Sequence, residues 1–249
     1  MNTKTVMLSL LKVFALLSVM GYLGFALAKL SRPTGEMVCT GVDIAFEDST
    51  ANLLLTHDDV RHLLMAHKLS PKGMRYSDIN TREIDSLLSQ SPYIDTVTTY
   101  RTSAGMLMVR VLPMKPILHV IADSGDDFYI DRQGRVMPGG GQNTNLCIVT
   151  GHVSRHFASQ RLVELGILLC DDPYWSLQTQ QVNVTARDEL ELVPRTGNHL
   201  VLLGEPHDLA SKLERIRIFY AKGMPRTGWN KYKTISAEYE GQIVCTKNE

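Results

Sequence analysis

The hydrophobic and polar positions of this chain change character near residue 30. From Val13 to Ala28 there is no charge and almost no polar side chain, whereas everything after Ser31 mixes apolar and polar residues in short periods. At about 1.5 Å per residue Val13 to Ala28 makes a helix of ~24 Å, and counting from Met7 makes ~33 Å against a hydrocarbon core of ~30 Å. The longer count needs Lys12 to snorkel toward the headgroups. Residues 7–30 are therefore expected to be a single transmembrane helix behind a tail of residues 1–6. A cleaved signal peptide is the competing reading, because Lys4 and Lys12 form a basic start and Ala26-Leu27-Ala28 has the form of a cleavage site. The length favours the retained anchor. Flanking charge does not orient it, with Lys4 and Lys12 on one side and Lys29 and Arg32 on the other.

Beyond Pro33 and Gly35, Val42, Ile44 and Phe46 alternate with Asp43 and Ala45, the period of a half-buried strand. Thr56 with Asp59 three residues on predicts a capped helix whose Val60, Leu63, Leu64 and His67 share a face. Asn80 and Glu83 repeat that logic ahead of Ile84, Leu87 and Leu88, and Pro92 ends the second helix. Thr96 to Arg101 and Met106 to Leu112 then read as strands joined at Ser103-Ala104-Gly105. The predicted order is strand, helix, helix, strand, strand.

Pro113 and Pro116 punctuate the chain without a long linker, so a second domain is expected directly after the first. Its expected strands are Ile117 to Ile121, Phe128 to Ile130, Leu146 to Thr150, Gln181 to Thr185, Glu189 to Val193 and His199 to Leu203, with a hairpin turn at Asp131 to Gly134. One helix is expected between His156 and Cys170 and another from Asp208, carrying Leu209, Leu213, Ile216 and Phe219 and stopped at Lys222-Gly223. Thr234 to Tyr239 and Gln242 to Cys245 close the chain as two strands around Gly241. The fold class expected is α+β: one transmembrane helix, a small βααββ domain, and a mainly antiparallel β domain with two helices.

Charge narrows the partners. All 26 acidic residues lie beyond residue 30 but three of the 26 basic ones (Lys4, Lys12, Lys29) lie before it, so the larger part is slightly acidic. It carries no basic stripe interleaved with aromatics, so nucleic acid is not an expected partner. Cys39, Cys147, Cys170 and Cys245 form no C-x-x-C, which excludes a zinc ribbon or thioredoxin-like site. Three pairing schemes or four free thiols remain open.

Candidate chemistry is thin. His152 and His156 have the i, i+4 spacing of a metal pair but lack the glutamate of a zinc protease. The Gly139 to Gly141 run lacks the lysine and hydroxyl of a phosphate loop, and Gly204 between a strand and a helix is no dinucleotide fingerprint. Asp171-Asp172 reads as a solvated helix end, and Asp58-Asp59 complements a helix dipole. No catalytic, metal or cofactor site is expected, and no small-molecule substrate.

The ordered set of motifs resembles the FtsQ/DivIB family of bacterial cell-division proteins, over nearly the whole chain. Residues 38–113 look like its POTRA domain, with Ser91-Pro92-Tyr93-Ile94 at the helix-to-strand turn, and residues 114–249 like its β domain. Tyr129-Ile130-Asp131-Arg132-Gln133-Gly134 is similar to the family's tyrosine-x-aspartate-x-x-glycine hairpin. Asp172-Pro173-Tyr174-Trp175, Glu191-Leu192-Val193-Pro194 and Val201-Leu202-Leu203-Gly204 follow in family order, and Trp229 to Lys233 with Tyr239 to Lys247 looks like the Bacteroidetes branch. The stretch before Met7 is shorter than the family's usual cytoplasmic segment.

The resemblance implies a non-enzymatic, single-pass scaffold of the divisome in the inner membrane, with its N-terminus in the cytoplasm and its bulk in the periplasm. FtsB and FtsL are the partners it implies. Residue patterning adds a binding place: a last strand is often an edge that accepts a partner's backbone. Gln242, Ile243, Val244 and Cys245 are the expected docking strand, with Tyr232 and Tyr239 as aromatic anchors. The alternative, a POTRA-bearing module of envelope protein assembly or secretion, calls for a transmembrane barrel of alternating segments for which the sequence has no room. A periplasmic enzyme would need a convergent polar pocket that the sequence does not advertise.

Overall fold

The structure is a computed structural model that describes residues 3–30, 37–48, 54–140 and 145–248, with side chains in the first of these described only for residues 12–26. Helix α1 (Thr3–Leu30) runs unbroken, and Val13, Phe14, Leu16 and Leu17 are all exposed. Among the described residues no helix is long and apolar enough to cross a membrane. The predicted span over 7–30 lies within α1, but its side chains are described only for residues 12–26.

The first domain is β1 (Gly41–Phe46), α2 (His57–Ala66), α3 (Thr81–Leu88), β2 (Ile94–Arg101) and β3 (Met106–Pro113), in the predicted order. Both helices start where their caps predict. The Thr56 hydroxyl accepts from the Asp59 amide while the Asp59 carboxylate accepts from the Thr56 amide, and the Asn80 side chain accepts from the Glu83 amide. The sheet order is β1-β3-β2, with β1 parallel and β2 antiparallel to the central strand. Val60 and Leu64 of α2 and Ile84 and Leu88 of α3 bury against Leu107, Val109 and Val111 of β3. The ring of Tyr76 is fully buried, and its hydroxyl lies 2.8 Å from the Met106 carbonyl and 3.1 Å from that of Thr102, fastening the β2–β3 turn.

The second domain contains β4 (Pro116–Ala122), β5 (Asp127–Asp131), β6 (Val136–Pro138), β7 (Cys147–Gly151), α4 (Arg155–Arg161), α5 (Val163–Asp171), α6 (Pro173–Gln178), β8 (Thr179–Val184), β9 (Leu190–Pro194) and β10 (Leu200–Gly204). After these come α7 (Leu209–Lys222), α8 (Met224–Thr227), β11 (Tyr232–Ser236) and β12 (Val244–Lys247). One nine-stranded sheet has the order β12-β11-β10-β9-β8-β7-β4-β5-β6. It is mixed: β4–β7, β7–β8 and β10–β11 are parallel and the other pairs antiparallel. Two of the three parallel pairs are joined through helices, as parallel pairing requires a crossover, and the third closes over the β5–β6 hairpin. The core lies between this sheet and the helices, with Leu165 and Leu169 of α5 and Leu213 and Ile216 of α7 against Val120, Val149, Val182 and Val201. Gly166 lets α5 settle on β4, since a Cβ there would stand 2.7 Å from the Ile117 side chain.

Four expectations need correction. The single helix between His156 and Cys170 is two, broken at the fully buried Leu162, where the chain bends so that both segments keep their apolar faces on the sheet. Asp172 is not a solvated end: it caps α6, accepting from the Tyr174 amide, and pairs with Arg217. Among its described residues the domain thus has five helices rather than two. Gly223 ends α7 in a right-handed conformation and α8 continues from it, so the turn away comes at Gly228. The last two strands are displaced from Thr234 to Tyr239 and Gln242 to Cys245 to Tyr232–Ser236 and Val244–Lys247.

All four cysteines are free. Burial, with Cys170 nearby, pushes the Cys147 thiol up to about 12, and burial also raises Cys170 and Cys245.

Candidate partner-binding edge

The last part of the chain is positioned by a crossover. α7 packs through Leu209, Leu213, Ile216 and Tyr220 and delivers β11 beside β10 in parallel register, Leu200 against Thr234 and Leu202 against Ser236. Lys212 crosses beneath, donating to the Glu205 carbonyl at 2.8 Å; burial lowers its pKa and Arg215 adds to this, while Asp208, Glu205 and Glu238 oppose it. The end of β11 is tied down twice. Ser236 Oγ accepts from the Glu238 amide at 3.2 Å and Arg215 Nη2 donates to the Ala237 carbonyl at 2.7 Å. These bonds compete with a continued ladder, so the strand stops at Ser236 although the alternation of side chains continues to Tyr239.

β12 then pairs antiparallel with β11, Ser236 against Val244 and Tyr232 against Lys247, and among the described residues has no strand on its other side. Asn248 extends the pairing, its amide donating to the Lys231 carbonyl at 3.0 Å. Alternate N–H and C=O groups of Val244–Lys247 therefore point away from the sheet, the pattern that an added strand reads.

Each predicted residue has a definite place. Val244 is exposed and Cys245 half-buried, both within β12; Gln242 and Ile243 lie in the approach to it, Gln242 exposed and Ile243 packed against the core. Tyr232 is half-buried, its ring 6.0 Å from that of Phe219. Tyr239 belongs to the turn rather than to the buried face of the strand, and 56% of it is exposed. Next to the edge, Ile218, Phe219, Ile243 and the stems of Arg215 and Lys222 line a groove of about 370 Å³. Arg215 and Phe219 were not among the predicted site residues; their signal, a position on the outer flank of an amphipathic helix, does not say what lies beside it.

The other end of the sheet differs. β6 is three residues long, ends in Pro138, and has the Pro138 carbonyl taken by the Tyr93 hydroxyl of the first domain at 3.1 Å. Leu54, Tyr129 and Met137 are buried together there, with Tyr93, Met114 and Leu146 packed around them.

The weaker sequence candidates do not assemble. His152 and His156 line a depression with Ser154, Phe157, Arg161 and Asp188, and among the described residues no group of three His, Cys, Asp or Glu side chains could hold a metal. Gly139 packs against Asp127, Gly140 faces open space, and Gly141 lies outside the described residues. Gly204 lies under the Glu238 side chain, and Asp58 pairs with Arg61 while Asp59 caps α2.

Comparison with known families gives two matches. The family model described as FtsQ/DivIB, C-terminal related, covers residues 115–246, more than half of the chain, and the one described as POTRA-like domain covers residues 37–112. No curated protein matches the chain.

Proposed function

The chain belongs to the family FtsQ/DivIB, C-terminal related, a family of bacterial cell-division proteins, and from that premise we propose that it is a non-enzymatic membrane-anchored scaffold of the divisome that binds FtsB and FtsL through its second domain. The observation that carries this reading is the open β12 edge. An extended segment of FtsB adds beside Val244–Lys247, the main chain providing affinity and side-chain pockets providing selectivity. Tyr232 and Tyr239 flank that edge as aromatic anchors, and Gln242 and Ile243 shape its entrance.

The anchor is residues 7–30, with the N-terminus in the cytoplasm and both domains in the periplasm. Support comes from Val13, Phe14, Leu17, Val19, Tyr22 and Leu23, which point to every side of the helix and are all exposed. Apolar surface on every side of a helix needs a non-aqueous surrounding. Alkaline carbonate extraction should leave the full chain in the membrane pellet, and release of the full chain would remove the anchor from the proposal.

Two neighbouring prolines test the edge. Successive residues of a strand direct their N–H groups to opposite sides, so of Cys245→Pro and Thr246→Pro one deletes a donor facing β11 and the other a donor facing outward. The outward one should abolish pull-down of the FtsB periplasmic segment with the melting temperature little changed; the inward one should lower the melting temperature. Binding retained by both folded variants would refute augmentation at β12.

A further inference from the structure

The Asp131 to Gly134 hairpin turn, which the β12 reading does not use, has its own work to do at the domain boundary. The Asp131 side chain is 2% exposed. Its Oδ1 accepts from the amides of Gln133 and Arg135 at 2.9 and 2.8 Å, and its Oδ2 accepts from Arg135 Nε at 2.6 Å. Gly134, at φ +76°, seats the turn on α4, where a Cβ would stand 2.4 Å from the Ser159 carbonyl oxygen. The guanidinium of Arg135 is thereby clamped at one end, and its other end, Nη1, donates to Asp95 of the first domain.

Asp95 is aimed to meet it. The β2–β3 register shifts between Ile94 and Thr96, which pair with Pro113 and Leu112, so Asp95 occupies a bulge in its strand. A bulge leaves its residue out of the ladder and redirects the side chain. The residues on either side of this bridge also cross the boundary: the Tyr93 hydroxyl donates to Pro138, the Met114 amide donates to the Tyr93 carbonyl at 2.9 Å, and Lys115 pairs with Asp48.

We propose that the Asp131–Arg135 turn is an interdomain latch: Asp131 positions Arg135 so that its guanidinium, held by Asp95, fixes the angle between the two domains. The apolar cluster of Leu54, Tyr129 and Met137 holds the domains together but, being non-directional, leaves their angle to the hydrogen bonds. Arg135 and Asp95 are 41% and 34% exposed, where an ion pair adds little stability. The latch sets direction rather than strength. Where the β12 reading holds, this angle also fixes where the binding edge points relative to the anchor, but the latch itself stands without that reading.

The test measures the angle and not binding. Spin labels carried by non-canonical amino acids at the exposed positions Arg82 and Arg187, in the full chain in lipid nanodiscs, report the interdomain distance by double electron–electron resonance while leaving the native cysteines untouched. The unsubstituted latch should give one narrow distance, and Asp95→Asn and Arg135→Ala should each broaden it at least twofold with little change in melting temperature. Arg132→Ala, which breaks a pair with Asp171 inside the second domain, should leave the width unchanged. A broad distribution with the latch intact, an unchanged width in both latch variants, or equal broadening by Arg132→Ala would each overturn the proposal. Should Arg135→Ala fail to fold, Asp95→Asn at its half-exposed position decides.

Discussion

The two ends of the nine-stranded sheet meet the same problem, a row of unpaired backbone groups, in opposite ways. At β6 the edge is short, carries a proline, has its last carbonyl occupied by Tyr93, and is roofed by the first domain. At β12 the edge is proline-free and exposed at Val244, Thr246 and Lys247. Lysine on an edge is a usual guard against unwanted pairing, because adding a strand must accommodate its charge. Lys247 therefore places a charge that any strand pairing there must accommodate, without closing the edge. One end of the sheet is thus covered by the first domain and the other is left open.

The largest loss of stability is expected at the covered end. Tyr129 is fully buried and stacks on His119 with ring centroids 4.3 Å apart, so Tyr129→Ala should cost about 3–5 kcal/mol in equilibrium denaturation. Val244→Ala at the open end removes a side chain that is 44% exposed and should cost less than about 1 kcal/mol. Equal costs would mean that the sheet is as enclosed at Val244 as at Tyr129 and would remove the basis for calling β12 free.

A smaller effect separates the cover's own folding from its contact with the sheet. Thr56→Ala deletes the capping box of α2 and should cost about 1 kcal/mol. That loss should raise hydrogen exchange in α2 while leaving β11 and β12 unchanged. Parallel loosening of the open end would show that the two ends are coupled through the whole sheet.

Local features were the legible part of this fold. The caps at Thr56 and Asn80 lie within one turn of the residues they bond, so each is written in four consecutive positions. Asp172-Pro173 is equally local, an acceptor followed by a residue preorganised for the first helical position, and it marks α6 once read as a start rather than as an acid pair. The break at Leu162 is not local: the apolar spacing from Phe157 to Leu169 continues through it, and only packing against the sheet decides where the helix bends. The displaced ends of β11 and β12 have a similar cause. Alternation predicts where a strand can continue, while the Ser236–Glu238 and Arg215–Ala237 bonds decide where it stops. The partner of Arg135 lies 40 residues earlier in the chain, in a bulge that no periodicity announces.

The smallest predicted effect is a response of the open end to pH. His199, 3% exposed, stands just before β10, with Nε2 2.6 Å from the Tyr220 hydroxyl of α7. Burial lowers its pKa from the usual 6.5, and the Trp229 backbone opposes that shift only in part. Because the folded value lies below the unfolded one, the folded protein favours the neutral ring. Its contribution to stability is fully present above the unfolded pKa and is lost as pH falls from there through the folded value. The aromatic cluster joining His199 includes both tryptophans, Trp229 with its ring 5.1 Å and Trp175 with its ring 6.3 Å from Tyr220, so their fluorescence reports on it. Between pH 7.5 and 5 the melting temperature followed by tryptophan fluorescence should fall, and amide exchange should rise in β10 and β11 before it rises in β5 and β6. His199→Gln removes the titrating ring and should flatten that decline, at some loss of stability at neutral pH. An equal slope in the variant would assign the acid response to other groups, and simultaneous loosening of β5 and β6 would show that the covered end draws on the same core.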